Sequence, residues 1–326
     1  MSGMLLAVDG GNAKTDLALV ATDGHVHAFV RGPGSSPHEH GVDGALDRIE
    51  ALLIEAGADG PVAHAELLLA GVDFPSEVET VQTRAQERGW ADRVEVANDT
   101  FAVLRAGTDR GWGVAVVCGA GINCLGVGPD GDQARFPALG PITGDWGGGQ
   151  DVGLAAVYAA ARSEDGRGPR TALEHAVPGH FGVATPLELA EAVHTGTISQ
   201  RRFVELAPIV LAESADDAVA AEIVDRLAGE VVTLVRVALD RIGPVDDADI
   251  LLGGGLMQAR DPRLLAAIEA GLGKLGIAHS LTVVDAPPVV GAALRALDTL
   301  GAAPAAYARL RSELAADDRL AEVTHG

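Results

Sequence analysis

Aromatic residues are scarce. Phe, Trp and Tyr together make up 3% of the 326 residues, against 48% apolar residues overall. The core must therefore be built from Ala, Val, Leu and Ile. Cysteine is nearly absent as well. Cys118 and Cys124 stand alone, which is too few for a disulfide framework, and their spacing is not that of a zinc site. Such usage fits reduced thiols in a cytoplasmic protein. No apolar run approaches the ~18 residues of a membrane span. The opening MSGMLLAVDGG has no basic flank, so neither a signal peptide nor a membrane segment is expected. Basic residues are also in short supply: 24 Lys and Arg face 46 Asp and Glu, a net charge of −22. That balance argues against nucleic acid and anionic membrane surfaces as partners. An anionic ligand would have to be held locally, by backbone N–H groups, a metal ion and a few cations.

What is present is an alternation of strands and helices. The length accommodates two domains. Residues 4–8, 15–21 and 25–30 read as short strands, with TDG at 22–24 as a hairpin turn. A loop, GPGSSPHEHG, covers 32–41. The period of Leu46, Ile49, Leu52 and Leu53 then predicts a helix. A buried strand at 66–70, a helix at 76–88, a strand at 93–97 and a helix opened by Asn98-Asp99 complete an α/β domain over 1–110. A second domain over 111–287 starts with the strands WGVAVVCG and INCLGVG, and a helix from Asp151 to Arg162 follows GDWGGG. Residues 163–185 read as a loop with a short helical piece. Residues 186–242 are mostly helical, with one long amphipathic helix over 219–242. A strand at 249–252 runs into Gly253-Gly254-Gly255. A helix at 262–273, a strand at 281–285 and a helix at 288–300 follow, and 304–326 reads as a frayed helix. Each half opens on an apolar strand ended by glycines, VDGGNAKTD at 8–16 and VCGAGINCLG at 117–126, which suggests two related halves.

Those strand ends carry the chemistry. Phosphate needs several convergent N–H donors, and glycine lets backbone approach closely. DGGNAK supplies that in Gly10, Gly11 and Asn12, with Lys14 and Thr15 as further donors. Asp9 at the strand end could hold Mg²⁺, directly or through water. The GxxxxGK[ST] pattern of a P-loop is absent. Gly119, Ala120 and Gly121 repeat the arrangement before Asn123. Each loop has a plain alternative, a hairpin turn. Asn98-Asp99 lies at a strand-to-helix junction, where either residue could simply cap the helix. A carboxylate there also faces the crevice in which α/β sheets bind ligands, and could accept a hydroxyl proton. Asp145 in GDWGGG has the same two readings, cap or sugar-hydroxyl ligand. The glycines at 253–255 would let a flat ring lie against backbone. The histidines do not assemble into a metal set: His38-Glu39-His40 sits in a polar loop without an i,i+4 pair, and His175 and His180 lack cysteine partners.

Taken in order, these motifs resemble the actin-like ATPase and sugar-kinase superfamily. More narrowly, over about residues 4–300, the chain is similar to the BadF/BadG/BcrA/BcrD-type ATPases, which include N-acetylglucosamine kinases. The resemblance implies two ribonuclease-H-like α/β domains flanking a cleft for ATP, Mg²⁺ and a sugar. The last helix, within about 288–326, would pack back on the first domain. It also implies that Gly253, Gly254 and Gly255 border the adenosine, and that Asp99 is the base for a sugar hydroxyl, commonly the 6-OH. Ser36, Asn98, Asn123, Asp145 and Trp146 would contact the sugar. The chain departs from the family pattern at several points. Asn12-Ala13 stands for Gly-Thr in DGGGTKT, and Ala120 and Ile122 stand for hydroxyl residues in GTGSN. Trp146 stands for the acid of GDEGS, Ser35-Ser36 for the loop's usual Asn, and Ala70 for a serine. The expected activity is ATP-dependent phosphorylation of an amino sugar such as N-acetylglucosamine by a cytoplasmic homodimer. Glucosamine, glucose or N-acetylmannosamine are other candidate substrates. The alternative within the family is an ATPase activator of a 2-hydroxyacyl-CoA dehydratase-type enzyme. Such activators bridge an iron–sulfur cluster with well-separated cysteines, which this chain lacks. A sugar-sensing regulator is disfavoured by the charge and by the absence of a leading DNA-binding module.

Overall fold

The computed structural model describes residues 3–316. Backbone contacts divide these into two compact units. One runs to Gly113 and resumes at Val284; the other is Val114–Val283. No described helix is long and apolar enough to cross a membrane.

The first unit opens with β1 (Met4–Gly10), β2 (Lys14–Ala21) and β3 (Val26–Pro33). Helix α1 (Pro37–Glu55), β4 (Val62–Leu69), α2 (Pro75–Glu87), β5 (Ala91–Asn98) and α3 (Thr100–Gly107) follow. The second unit carries β6 (Gly113–Cys118), β7 (Ile122–Val127), β8 (Gln133–Arg135) and α4 (Gly148–Glu164). It continues with α5 (Leu173–His180), α6 (Pro186–His194), α7 (Ala207–Glu213), α8 (Ala218–Arg241), β9 (Asp247–Gly253), α9 (Gly255–Gln258), α10 (Pro262–Gly273) and β10 (Ala278–Val283). The chain then returns to the first unit through α11 (Pro288–Thr299) and α12 (Pro304–Ala315). Of the helix expected over 304–326, residues 317–326 lie outside the described residues.

The two sheets share one plan. The strand orders are β3-β2-β1-β4-β5 and β8-β7-β6-β9-β10, so the two halves suggested by the glycine-ended strands are built alike. In the first sheet β1 runs antiparallel to β2 and parallel to β4, and β4 is parallel to β5. All residues of β1 are buried, because helices cover both faces of the sheet. Leu6 and Val8, with Leu17, Leu19, Leu67 and Val94, pack beneath α1 and α2. The opposite face meets α11, which contacts β1, β2 and β4. In the second unit the stripe of α8 (Ile223, Leu227, Val231, Val235 and Ala238) lies in the core. Asp217 caps that helix, accepting from the Val219 and Ala220 N–H groups at 3.0 and 2.9 Å.

Differences from the expected elements have local causes. β4 begins at Val62, not at residue 66, because His64 and Glu66 are polar yet fully buried strand residues. A first helical turn begins at Pro37, within the expected loop, and Gly41 (φ 69°, ψ 164°) sets it off from the rest of α1. α4 starts at Gly148, since two glycines enter the helix ahead of Asp151. β10 lies earlier than expected, as an edge strand that exposes alternate residues. The short strand β8 and the 3₁₀ turns at Gly140–Ile142 and Gln200–Leu206 carry no periodic signal.

Candidate active site

Parallel strands β1, β4 and β5 end side by side, with Gly10 opposite Leu69 and Leu69 opposite Asn98. The carboxyl ends of such strands are where α/β sheets take ligands. Asp9 stands at this edge. Asp16 is opposite it on β2, and Arg31 is opposite Asp16 on β3, so the three form a cross-strand row. Arg31 grips Asp16 through both nitrogens, Nε to Oδ1 at 2.6 Å and Nη2 to Oδ2 at 2.9 Å. Lys14 Nζ lies 3.3 Å from Asp16 Oδ2. Asp16 is thereby neutralised, whereas Asp9 is given no such partner among the described residues. Burial pushes the Asp9 carboxyl up to about 8. The charges of Asp99 and Asp16 add to this, and those of Lys14 and Arg31 oppose it. A buried acid short of positive charge fits the expected magnesium position.

Asp99 precedes α3 but does not cap it. Asn98 does. Its Oδ1 accepts from the Thr100 N–H at 3.0 Å and from Thr100 Oγ1 at 2.6 Å, while its Nδ2 donates to Asp73 Oδ1 at 2.9 Å. Asn98 is buried, and both ends of its amide are engaged. It therefore acts as a bracket between β5, α3 and Asp73. Asp99 is left partly exposed, with its carboxylate not spent on capping. Burial pushes its carboxyl up to about 6, against the opposing effect of nearby backbone N–H groups.

The first glycine loop is tightly braced. Gly11 N–H donates to the Lys14 carbonyl at 2.9 Å, and Ser35 N–H donates to the Gly11 carbonyl at 3.1 Å. A Cβ at Gly34 would stand 2.0 Å from the Asn12 carbonyl oxygen. Thr15 is fully buried, and its hydroxyl bonds Ser35 Oγ at 2.8 Å and the Pro33 carbonyl at 2.9 Å. The Thr15 hydroxyl thus ties the glycine loop to the 33–36 loop. Ser36 is fully buried too, and its Oγ has no partner.

In the second unit three glycine segments pack backbone to backbone. Gly119 N–H donates to the Gly121 carbonyl at 3.0 Å. The first free N–H groups of α4, from Gly149 and Gln150, donate to the Gly119 and Ala120 carbonyls at 2.8 and 2.9 Å. A Cβ at Gly148 would stand 2.3 Å from the Gly121 carbonyl oxygen. One at Gly254, whose φ is 89°, would stand 2.3 Å from that of Cys118. Gly119, Gly121 and Gly255 differ: no atom of the chain lies within 4 Å of where a side chain would go. Packing does not require glycine there, whereas close approach of a ligand would.

The remaining predicted residues fall around this cradle. Asn123 Oδ1 accepts from the Cys124 N–H at 2.7 Å. Asp145 is partly exposed. Its Oδ2 accepts from Thr143 Oγ1, and its N–H donates to the Gly140 carbonyl at 3.0 Å. Trp146 packs against the unit's core and carries the Arg226 guanidinium 3.9 Å from its ring centre, so one ring face is taken. Burial pushes the Cys118 thiol up to about 12 and raises that of Cys124 as well, which makes both poor nucleophiles and poor ligands. The one metal-type cluster among the described residues is His64, Glu66 and Glu95. Glu66 there already binds Arg295 Nε at 2.7 Å and His64 Nε2 at 3.1 Å, and Glu95 pairs with Arg93.

Sequence reasoning passed over Asp16, Arg31, Asp73 and Thr143. Asp16 was signalled by a lone acid in KTDLALV. The others depend on strand register and loop closure, which have no local signature.

Comparison with known proteins adds three kinds of match. The family model described as the BadF/BadG/BcrA/BcrD ATPase family matches residues 6–296. An N-acetylmuramic acid/N-acetylglucosamine kinase of Clostridium acetobutylicum is 26% identical over 211 residues, 63% of this chain and 69% of that protein. An N-acetyl-D-glucosamine kinase of Dictyostelium discoideum is 25% identical over 226 residues, 65% of this chain and 71% of that protein. A solved structure assigned as an N-acetylglucosamine kinase of Chromobacterium violaceum superposes with a TM-score of 0.70 at 24% identity. It covers 90% of this chain and 99% of its own, and carries the fold.

Proposed function

The chain belongs to the BadF/BadG/BcrA/BcrD ATPase family, and from that premise we propose that it is an ATP-dependent kinase of amino sugars related to N-acetylglucosamine. The observation that carries this reading is at the ends of β1 and β5. Two carboxyl groups, Asp9 and Asp99, lie within electrostatic reach of each other. Asp99 is kept from capping by Asn98, and its pKa near 6 leaves it ionised at neutral pH, able to accept a hydroxyl proton. Asp9 is the residue that would hold Mg²⁺, which supplies charge neutralisation at the transferred phosphoryl group. The Gly10–Thr15 loop and the Gly119–Gly121 loop position the phosphates in this reading. Gly253–Gly255 lie along the adenosine. Asn123 and Asp145 orient sugar hydroxyls, and the acceptor is the 6-OH. The names of the two curated relatives support the substrate class. A homodimer is the expected assembly, read directly by sedimentation.

The test is ADP release coupled to a sugar panel of N-acetylglucosamine, glucosamine, N-acetylmannosamine, glucose and N-acetylmuramic acid. Turnover that depends on an amino sugar supports the proposal. Sugar-independent ATP hydrolysis with every member of the panel contradicts it and favours the ATPase-activator reading.

A further inference from the structure

Strand β2 leaves the glycine loop with a cation and an acid on one face. Lys14 and Asp16 are two residues apart on the strand, so both side chains project to the side of Asp9, which is opposite Asp16 on β1. Asp16 is fully buried, and Arg31 on β3 meets both its oxygens, Nε to Oδ1 at 2.6 Å and Nη2 to Oδ2 at 2.9 Å. A guanidinium fork matches a carboxylate in this way, and such pairs are strong. The Phe29 ring, whose centre lies 5.7 Å from the guanidinium carbon, steadies the fork. Lys14 Nζ approaches the same Oδ2 at 3.3 Å, the longest of the three contacts and to an oxygen already bonded. One buried acid is thus served by two cations, and Arg31 alone balances its charge. The Lys14 side chain is 38% exposed, against 27% for Arg31. An ammonium has three donors on a flexible stem, and Lys14 spends one of them on Asp16. Its backbone is fixed where the loop closes, since the Gly11 N–H donates to its carbonyl at 2.9 Å. Lys14 and Lys274 are the two lysines of the chain, and the rest of its 24 basic residues are arginines. A lysine here, in a chain that otherwise relies on arginine, suits a cation that has to move.

We propose that Arg31 is a positioning residue for phosphoryl transfer: it holds the charge of Asp16, so that Lys14 can turn from Asp16 to the terminal phosphate of the nucleotide. The inference rests on the kinase reading. With Arg31 in place the exchange is cheap. Lys14 gives up one long, shared contact and gains a phosphate oxygen, while Asp16 keeps two short bonds. Without Arg31 the balance reverses. A buried carboxylate left without a partner is costly, so Lys14 is held at Asp16 as its counter-ion and withdrawn from the nucleotide. Arg31 itself is not the phosphate ligand in this account. Its fork is committed to Asp16, and it stands one strand further than Asp16 from Asp9.

The test is a rescue. In the full-length protein, Arg31→Gln is expected to weaken the Kd for a non-hydrolysable MgATP analogue by about tenfold or more, the loss of one hydrogen bond between charged groups. The KM for N-acetylglucosamine is expected to stay within about twofold of wild type. Adding Asp16→Asn removes the carboxylate that captures Lys14, and the double variant is expected to regain most of the nucleotide affinity. A purely structural Arg31 would instead weaken nucleotide and sugar together, with no repair by the second change. Wild-type nucleotide affinity in folded Arg31→Gln, or a double variant as weak as the single one, overturns the proposal. A second arm needs neither turnover nor a change at Arg31. Lys274 is exposed, so Lys274→Arg leaves Lys14 as the one lysine, and ¹³C labelling of lysine then gives a single side-chain signal. That signal is expected to shift with the MgATP analogue and far less with MgADP. An unmoved signal in protein that phosphorylates sugar overturns the proposal and leaves the kinase reading intact. A shifted signal together with the rescue, in protein that phosphorylates no sugar, supports the Arg31 assignment while the kinase reading fails.

Discussion

Asp99, the residue proposed as the base, is a carboxylate that does not cap the helix it precedes. Asn98 takes the capping bonds, and burial lifts the Asp99 pKa towards the range in which it can both lose and regain a proton near neutrality. Asp99→Asn keeps the shape and removes the base. It is expected to fold, to bind nucleotide, and to lose phosphoryl transfer by about 10²–10⁴-fold, measured as kcat with saturating sugar. The sign of the pH dependence follows from the raised pKa. The active form is ionised, so wild-type kcat/KM should hold above pH 7 and fall as pH drops through about 6. A profile flat to pH 5 would remove Asp99 from the role of base. Much of this was legible in the sequence. An acid after the apolar strand RVEVA and an acid ending LLAVD mark both carboxylates without any structure. Asn98's capture of the cap was not legible, since both residues cap helices well and only the placement of Asp73 separates them.

Among the elements, α11 holds the first unit together across a long sequence distance. It lies on the sheet face that carries His64 and Glu66, and its Arg295 reaches down to Glu66, which is fully buried. Removing one member of such a pair leaves a charge stranded out of water. Arg295→Ala is therefore expected to destabilise the protein by about 3–5 kcal/mol in denaturant unfolding. Replacing both Arg295 and Glu66 with apolar residues of similar size should recover most of that loss. If Arg295→Ala unfolds with wild-type stability, the pair does not hold α11 to the sheet. The helices were readable from their 3.6-residue period, α8 almost to its ends. β4 was readable only in part, because polar His64 and Glu66 interrupt its first half, and the buried Glu66 is satisfied by Arg295 more than two hundred residues away.

For the whole molecule the dominant fact is a net charge of −22 set against an anionic cosubstrate. Local N–H donors and cations can hold a nucleotide, but the approach occurs in a repulsive field. Salt shortens the reach of that field, to about 8 Å at physiological ionic strength. At constant free Mg²⁺, kcat/KM for MgATP should therefore rise as ionic strength increases from about 10 to 150 mM, a span over which the Debye length falls from about 30 to 8 Å. A fall over that range would indicate that local cations, and not the net charge, govern encounter. The shared strand order of the two sheets was foreshadowed by their glycine-ended first strands, because both begin the same folding unit. The glycine packing among residues 118–121, 147–149 and 253–255 was not foreshadowed, since it joins segments distant in sequence, Gly148 against Gly121 and Gly254 against Cys118.

The most direct test of the central claim is the product itself. Protein, MgATP and N-acetylglucosamine are incubated and followed by ³¹P NMR, in parallel with Asp99→Asn. The account predicts one sugar phosphate, coupled at the 6-position, for each ADP formed by the wild type, and none above background from the variant. Inorganic phosphate without sugar phosphate from the wild type, or equal product from both proteins, would contradict it.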